Sequence, residues 1–185
     1  MEAYTGGPYT RLAMKLMALT FVRTGELIGA RWEEFDLAAA QWRIPAARMK
    51  MRTAHIVPLA PQTVEVLQAL YTISGQRALL FPGERDHGKP MSNNTILMAL
   101  RRMGYQGRMT GHGWRGVAST ILHERGFKHE WIELQLAHQK RDAISAAYDH
   151  ATYLADRTKM MTWWANHLDK LRQGADVIEL QPRTA

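Results

Sequence analysis

The spacing of apolar residues changes character along this chain, and that change constrains the fold more than any other feature. From Tyr9 to Phe21, Leu12, Leu16 and Leu19 with Met14 and Met17 recur three and four residues apart, which predicts a buried helix. Between Trp32 and Leu59 the pattern becomes short runs of β-type residues, Trp32 to Leu37, Trp42 to Pro45 and His55 to Leu59, separated by polar or turn-like segments. These runs predict a small antiparallel sheet. Downstream the helical spacing returns. The expected class is therefore α+β, mainly α-helical, with the sheet near the N-terminal third.

Local signals refine this outline. Thr24 is a suitable cap for a short helix ending near Gly29, with Glu26 in its first turn where a carboxylate suits the dipole. Residues Ala46 to Ala54 would connect the last two strands with Lys50 near the tip, and Pro58 makes the last strand an edge candidate. Helices are expected over Pro61 to Ile73, which opens on proline, and over Ser92 to Met103, with a Gly- and Pro-rich loop from Pro82 to Pro90 between them. Further helices follow over Arg115 to Arg125, stopped by Gly126, over His129 to Ala137 and over Ala143 to Tyr148. A long one runs from Thr152 to Leu171, striped by Leu154, Met161, Trp164, Leu168 and Leu171. Trp163 and Trp164 read as packing residues.

At 185 residues the chain suits one domain, expected over residues 1–174, with 175–185 as a flexible tail. It contains no cysteine, which excludes a disulfide framework, a Cys-ligated zinc and a thiol nucleophile, and fits a reducing cytoplasm. The longest apolar stretch, Leu12 to Val22, is short and carries Lys15, so neither a membrane span nor a signal-peptide core is expected.

Charge points to a partner. The net charge is +7, and two segments hold no acid at all: Leu37 to Val64 with Arg43, Arg48, Lys50 and Arg52, and His87 to His123 with Lys89, Arg101, Arg102, Arg108 and Arg115. The remaining chain is slightly acidic, so the basic character belongs to defined stretches. A polyanion is the natural partner.

The densest polar constellation is His112-Gly-Trp-Arg115 at a helix start, followed by Leu136-Ala-His138 and then Tyr148. Gly111 and Gly113 flank His112, and backbone N–H groups beside an arginine at a helix start make a ready phosphate site. Each piece alone is a common pattern. Arg23 and Glu26, three residues apart, also read as a simple ion pair, and Lys50 as an ordinary hairpin charge.

Taken in order, Arg23-Thr-Gly-Glu26-Leu, Lys50 with His55-Ile-Val-Pro-Leu59, His112-Gly-Trp-Arg115, Leu136-Ala-His138 and Tyr148 resemble the tyrosine recombinases, the phage-type integrase family, and in particular its P4-like group. The resemblance covers nearly the whole chain. It implies the mainly helical integrase catalytic fold, that of DNA breaking-rejoining enzymes, and site-specific breakage and rejoining of double-stranded DNA through a 3′-phosphotyrosine. It implies no cofactor and no metal, self-association on DNA as a tetrameric synapse, and a bacterial cytoplasmic, nucleoid-associated location. Members of the family normally carry DNA-binding domains before the catalytic one, and only 22 residues precede Arg23 here, so those domains are expected to be absent from this chain.

The implied roles fit the residue types. Attack on a phosphodiester accumulates charge on the non-bridging oxygens, which two guanidinium forks, Arg23 and Arg115, would neutralise. Lys50 would protonate the leaving 5′-oxygen, His112 would help to deprotonate the tyrosine, His138 would hydrogen-bond the phosphate, and Glu26 would orient its neighbours. Tyr148 would be the nucleophile. With a reference pKa of ~10, only roughly 0.1% of a tyrosine is phenolate at pH 7, so it needs such a basic site. Tyr4, Tyr9, Tyr71, Tyr105 and Tyr153 compete for that role, but the position after Leu-Ala-His favours Tyr148. Arg48, Arg52, Arg101 and Arg102 are further candidates for DNA contacts.

Two rival readings exist. A metal-dependent nuclease could use Glu33, Glu34 and Asp36 with His55, although these acids cluster in one segment, away from the basic stretches. A DNA-binding accessory protein descended from an integrase would need no chemistry.

Overall fold

The computed structural model describes residues 4–138 and 153–174. Its centre is helix α1 (Pro8–Thr20), which opens on a proline at its first position, where a missing N–H costs nothing. Ala13, Met14, Leu16, Met17 and Ala18 are wholly buried, so α1 is covered on most of its circumference, as its run of apolar residues requires. The helix ends at Phe21, which turns into the left-handed region at φ 39° while its N–H bonds the Met17 carbonyl at 2.8 Å. That conformation costs a non-glycine residue about 1 kcal/mol. Full burial of the ring and an edge-on contact with Trp164, centroids 5.9 Å apart, hold it there.

Helix α2 (Thr24–Ile28) follows at once. Its cap differs from the expectation, because Arg23 occupies the cap position and Thr24 is already helical. The carboxylate of Glu26 reaches back to accept the Arg23 backbone N–H at 2.9 Å, which satisfies the end that a threonine hydroxyl was expected to serve.

The expected sheet is present, with three antiparallel strands in the order β1 (Phe35–Asp36), β2 (Gln41–Ile44) and β3 (His55–Pro58). Trp42 faces Phe35 on one side and Val57 on the other, is fully buried, and stacks on Phe35 at 5.0 Å. The first strand is much shorter than the run from Trp32 to Leu37, because Trp32–Glu34 forms a 3₁₀ turn instead. Pro58 does lie on the edge strand. A second 3₁₀ turn, Ala46–Arg48, begins the β2–β3 connection, and Lys50 is exposed beyond it.

Helices α3 (Pro61–Ser74) and α4 (Asn94–Arg102) pack against α1, and the Ser92 hydroxyl accepts the Asn94 N–H at the start of α4. Helix α5 (Gly113–Glu124) ends before Gly126, which is at φ 79°. Helix α6 (His129–Gln135) and the long α7 (Leu154–Gln173) complete the fold. Two main apolar cores result among the described residues, besides a small cluster of Leu19, Ala60 and Ala165. One joins α1 to the sheet, α3 and α4; the other gathers Phe21, Ala118, Leu122, Ile132, Leu136, Met160, Met161 and Trp164 between α5, α6 and α7. Trp164 is buried and donates its indole N–H to the Ala18 carbonyl at 2.8 Å, and Trp163 packs against Phe127, so both serve as packing residues. The α7 stripe fades at its end, where Leu171 is exposed. The helix expected over Ala143 to Tyr148 and the tail 175–185 fall outside the described residues.

Candidate active site

Three chain reversals converge beside the end of α1. Arg115, in the first turn of α5, is only 4% exposed and donates one guanidinium nitrogen to the Phe21 carbonyl at 2.9 Å and the other to the Leu136 carbonyl. Arg23 donates to Glu26 Oε1 at 2.7 Å and to the Ala137 carbonyl at 3.3 Å. Both Phe21 and Ala137 have positive φ, 39° and 50°. These two unusual bends flank the carbonyls that the arginines use, so the chain reversals and the guanidinium positions are one construction.

His138 closes the group. Its Nε2 lies 3.4 Å from Arg115 Nη2, and its Nδ1 lies 3.0 Å from the Glu133 carboxylate, which orients the ring. Arg115 is pulled down to about 10, first by burial and then by the charge of Arg23, with Glu26 and Glu133 opposing the shift. Two cations are thus held close together in a partly desolvated place where a bound anion would relieve both.

His112 immediately precedes α5 and is exposed, and its ring makes no hydrogen bond among the described residues. The turn that carries it approaches α2 closely: a Cβ on Gly111 would fall 2.7 Å from the Thr24 hydroxyl and 3.4 Å from Met17 Sδ. Glycine is therefore what allows His112 to stand next to the Arg23 turn. Lys50 is exposed on the hairpin with no hydrogen bond or ion pair among the described residues, so the structure brings Arg23, Glu26, Arg115 and His138 into contact but not Lys50. Tyr148 lies outside the described residues. Tyr153 precedes α7, half-buried, and its carbonyl accepts the Arg157 N–H at 2.9 Å.

Of the four arginines expected at DNA, Arg48 is turned inward. It donates to the Glu26 carbonyl at 2.6 Å and to the Gly29 carbonyl, and its Nε lies 3.1 Å from Glu34. It ties the hairpin to α2 and has no free fork to offer a phosphate. Arg52 on the hairpin, and Arg101 and Arg102 in the last turn of α4, are exposed.

The carboxylates of the rival nuclease reading diverge. Glu34 is buried against the Trp42 indole N–H at 2.9 Å and Arg48, with its pKa raised by burial; Glu33 pairs with Arg31 at the surface; Asp36 accepts the Ala39 N–H. Among the described residues no three His, Asp or Glu lie close enough together to share a metal ion.

Among the described residues, one buried charged side chain escaped the sequence reading. Arg157 on α7 is fully buried and bonds Gln135 and the Ile56 carbonyl. The signal was present, since Arg157 falls on the stripe between Leu154 and Met161, where a charged residue has no solvent to face.

Comparison with known proteins places this geometry. A model of the phage integrase family matches residues 2–154. The chain is 46% identical over 188 residues to the integrase of Enterobacteria phage P4, covering 93% of this chain and 43% of that protein. It is 44% identical over 170 residues to the prophage integrase IntZ of Escherichia coli K12, covering 91% and 42%. The chain thus spans less than half the length of these relatives. Among solved structures, the integrase from mycobacterium phage Brujita superposes with a TM-score of 0.68 at 21% identity, over 86% of this chain and 53% of that one. A lambda integrase (75–356) dimer bound to a COC′ core site gives 0.57 at 17% identity, over 80% and 54%. These structural likenesses show that the fold is shared.

Proposed function

This chain belongs to the phage integrase family, and we propose that it is the catalytic part of a site-specific DNA recombinase that cleaves and rejoins strands through a 3′-phosphotyrosine. The observation that carries the reading is the pairing of Arg23, held by Glu26 and the Ala137 carbonyl, with Arg115, held by the Phe21 and Leu136 carbonyls and flanked by His138. Two planar cations so fixed suit the non-bridging oxygens of a phosphodiester passing through a five-coordinate state. Their orientation needs no reorganisation when charge develops.

In this scheme Tyr148 attacks the phosphorus and the 5′-oxygen leaves. His112 takes the phenolic proton, Lys50 supplies a proton to the leaving oxygen, and His138 donates to a phosphate oxygen with Glu133 behind it. Glu26 keeps Arg23 extended towards the same oxygens. Because the two guanidiniums do the electrostatic work, the reaction is expected to proceed without a metal ion. Lys50 carries no hydrogen bond or ion pair among the described residues, which supports a role completed only when DNA draws the hairpin in. The hairpin arginine Arg52 and the α4 arginines Arg101 and Arg102 are proposed phosphate contacts, with assembly into a tetramer on DNA and a monomer off it.

A duplex with a nick near the scissile phosphate tests this. Loss of the short 5′-hydroxyl fragment should leave a covalent protein–DNA adduct in the presence of EDTA. DNA binding without any adduct would favour the accessory-protein reading. Cleavage that EDTA abolishes would favour the metal-dependent one.

A further inference from the structure

The proposed chemistry explains Arg23 and Arg115 but leaves a third internal arginine unused. Arg157 is wholly buried, and a single nitrogen, Nη2, donates to two different elements: the Ile56 carbonyl of β3 at 2.6 Å and Gln135 Oε1 of α6 at 2.7 Å. Gln135 in turn donates from Nε2 to the Thr20 carbonyl at 3.4 Å. The next carbonyl along, that of Phe21, accepts from Arg115, and the residues after Gln135 are Leu136, Ala137 and His138. A chain of hydrogen bonds therefore runs from the strand that ends the Lys50 hairpin, through α7 and α6, to the end of α1 whose next carbonyl holds Arg115, and its middle member Gln135 directly precedes the turn whose carbonyls hold Arg115 and Arg23.

Stability does not account for this residue. Among the described residues no carboxylate faces Arg157, whose pKa is drawn down to about 10 by burial, and its Nε and Nη1 have no hydrogen-bond partner there. A buried cation with unmet donors costs folding free energy, and an apolar side chain of similar length would fill the same space more cheaply. What an apolar residue cannot supply is a fixed spacing between β3 and α6. We propose that Arg157, acting through Gln135, is a positioning residue for strand cleavage, setting the hairpin that carries Lys50 at a fixed distance from the turn that carries His138. This rests on the recombinase reading given above.

The test uses the full chain with Arg157→Met, which keeps the length and removes every donor, and Arg157→Lys, which restores a donor. Four quantities are read: the melting temperature, the imidazole NMR resonances of His138 without DNA, the rate of covalent adduct formation at saturating nicked duplex, and the dissociation constant. Arg157→Met removes the buried cation but leaves the Ile56 carbonyl and Gln135 Oε1 without this donor, so the two costs offset and the variant is expected to stay folded, with a melting temperature close to that of the unaltered chain, and to bind DNA equally well. It should shift the His138 resonances and form adduct at least tenfold more slowly, with Arg157→Lys recovering part of the rate. Unfolding of Arg157→Met would overturn the proposal by making the residue structural. So would an unchanged adduct rate, or unmoved His138 resonances. If the unaltered chain forms no adduct, the recombinase reading fails and the positioning role fails with it, while the resonances separately report whether the linkage from Arg157 to His138 exists.

Discussion

Two arginines in basic surroundings, Arg48 and Arg52, have opposite fates, and only the backbone between them explains why. The 3₁₀ turn Ala46–Arg48 swings the first guanidinium under α2 and leaves the second beyond it in solvent. Charge along a sequence carries no direction, which is why Arg48 read as a DNA contact. The same holds for Arg157, whose place on an apolar stripe was legible although its partners were not. Breaking the Arg48–Glu34 pair should leave a buried carboxylate unpaired, so Arg48→Met is expected to lower unfolding free energy by about 3 kcal/mol in urea titrations. DNA affinity should change little. Lost affinity with full stability would instead mark Arg48 as a DNA contact. For Arg115→Lys the account predicts at least a hundredfold slower adduct formation, because a point charge cannot hold the Phe21 and Leu136 carbonyls and a phosphate together. A rate within threefold of the unaltered chain would contradict the fork argument.

At the level of elements, periodicity located most helices and strands to within a few residues. It failed where local geometry departs from the regular types. Trp32–Glu34 became a 3₁₀ turn rather than strand, and the bends at Phe21 and Ala137 carry positive φ without glycine to announce them. Those bends aim the carbonyls that hold Arg23 and Arg115, so the motifs were visible while the reason for their convergence was not. Helix α7 supplies a pH-dependent term. His167 stacks on Trp163 with centroids 5.1 Å apart, and its pKa is lowered by burial first and then by Arg125 and Lys170. The unfolded chain therefore binds a proton at this residue more readily than the native one. Stability from this source is present above the ordinary histidine range near pH 6.5 and is lost as pH falls below it. His167→Gln should flatten the decline in urea midpoint between pH 7 and pH 5. A slope unaltered by the substitution would assign the decline elsewhere.

For the molecule as a whole, the order of the motifs along the chain carried the family, whereas the contacts among Arg23, Glu26, Arg115 and His138 came only from the fold, since Arg23 and Ala137 are 114 residues apart. The two acid-free segments contribute the exposed cations Arg52, Arg101 and Arg102 to the surface. Binding to DNA should then act mainly through phosphates, with affinity falling steeply and nearly independently of sequence between 50 and 200 mM salt. An affinity flat across that range would remove the electrostatic basis of the reading. The central claim, a tyrosine nucleophile served by paired arginines, is tested most directly by locating the covalent bond. The adduct trapped on a nicked duplex in EDTA is digested, and the DNA-linked peptide is sequenced by mass spectrometry, with Tyr148→Phe in parallel. The account predicts a 3′-phosphotyrosyl linkage at Tyr148 that Tyr148→Phe abolishes without loss of DNA binding; a linkage at Tyr153, or an adduct that survives in Tyr148→Phe, would contradict it.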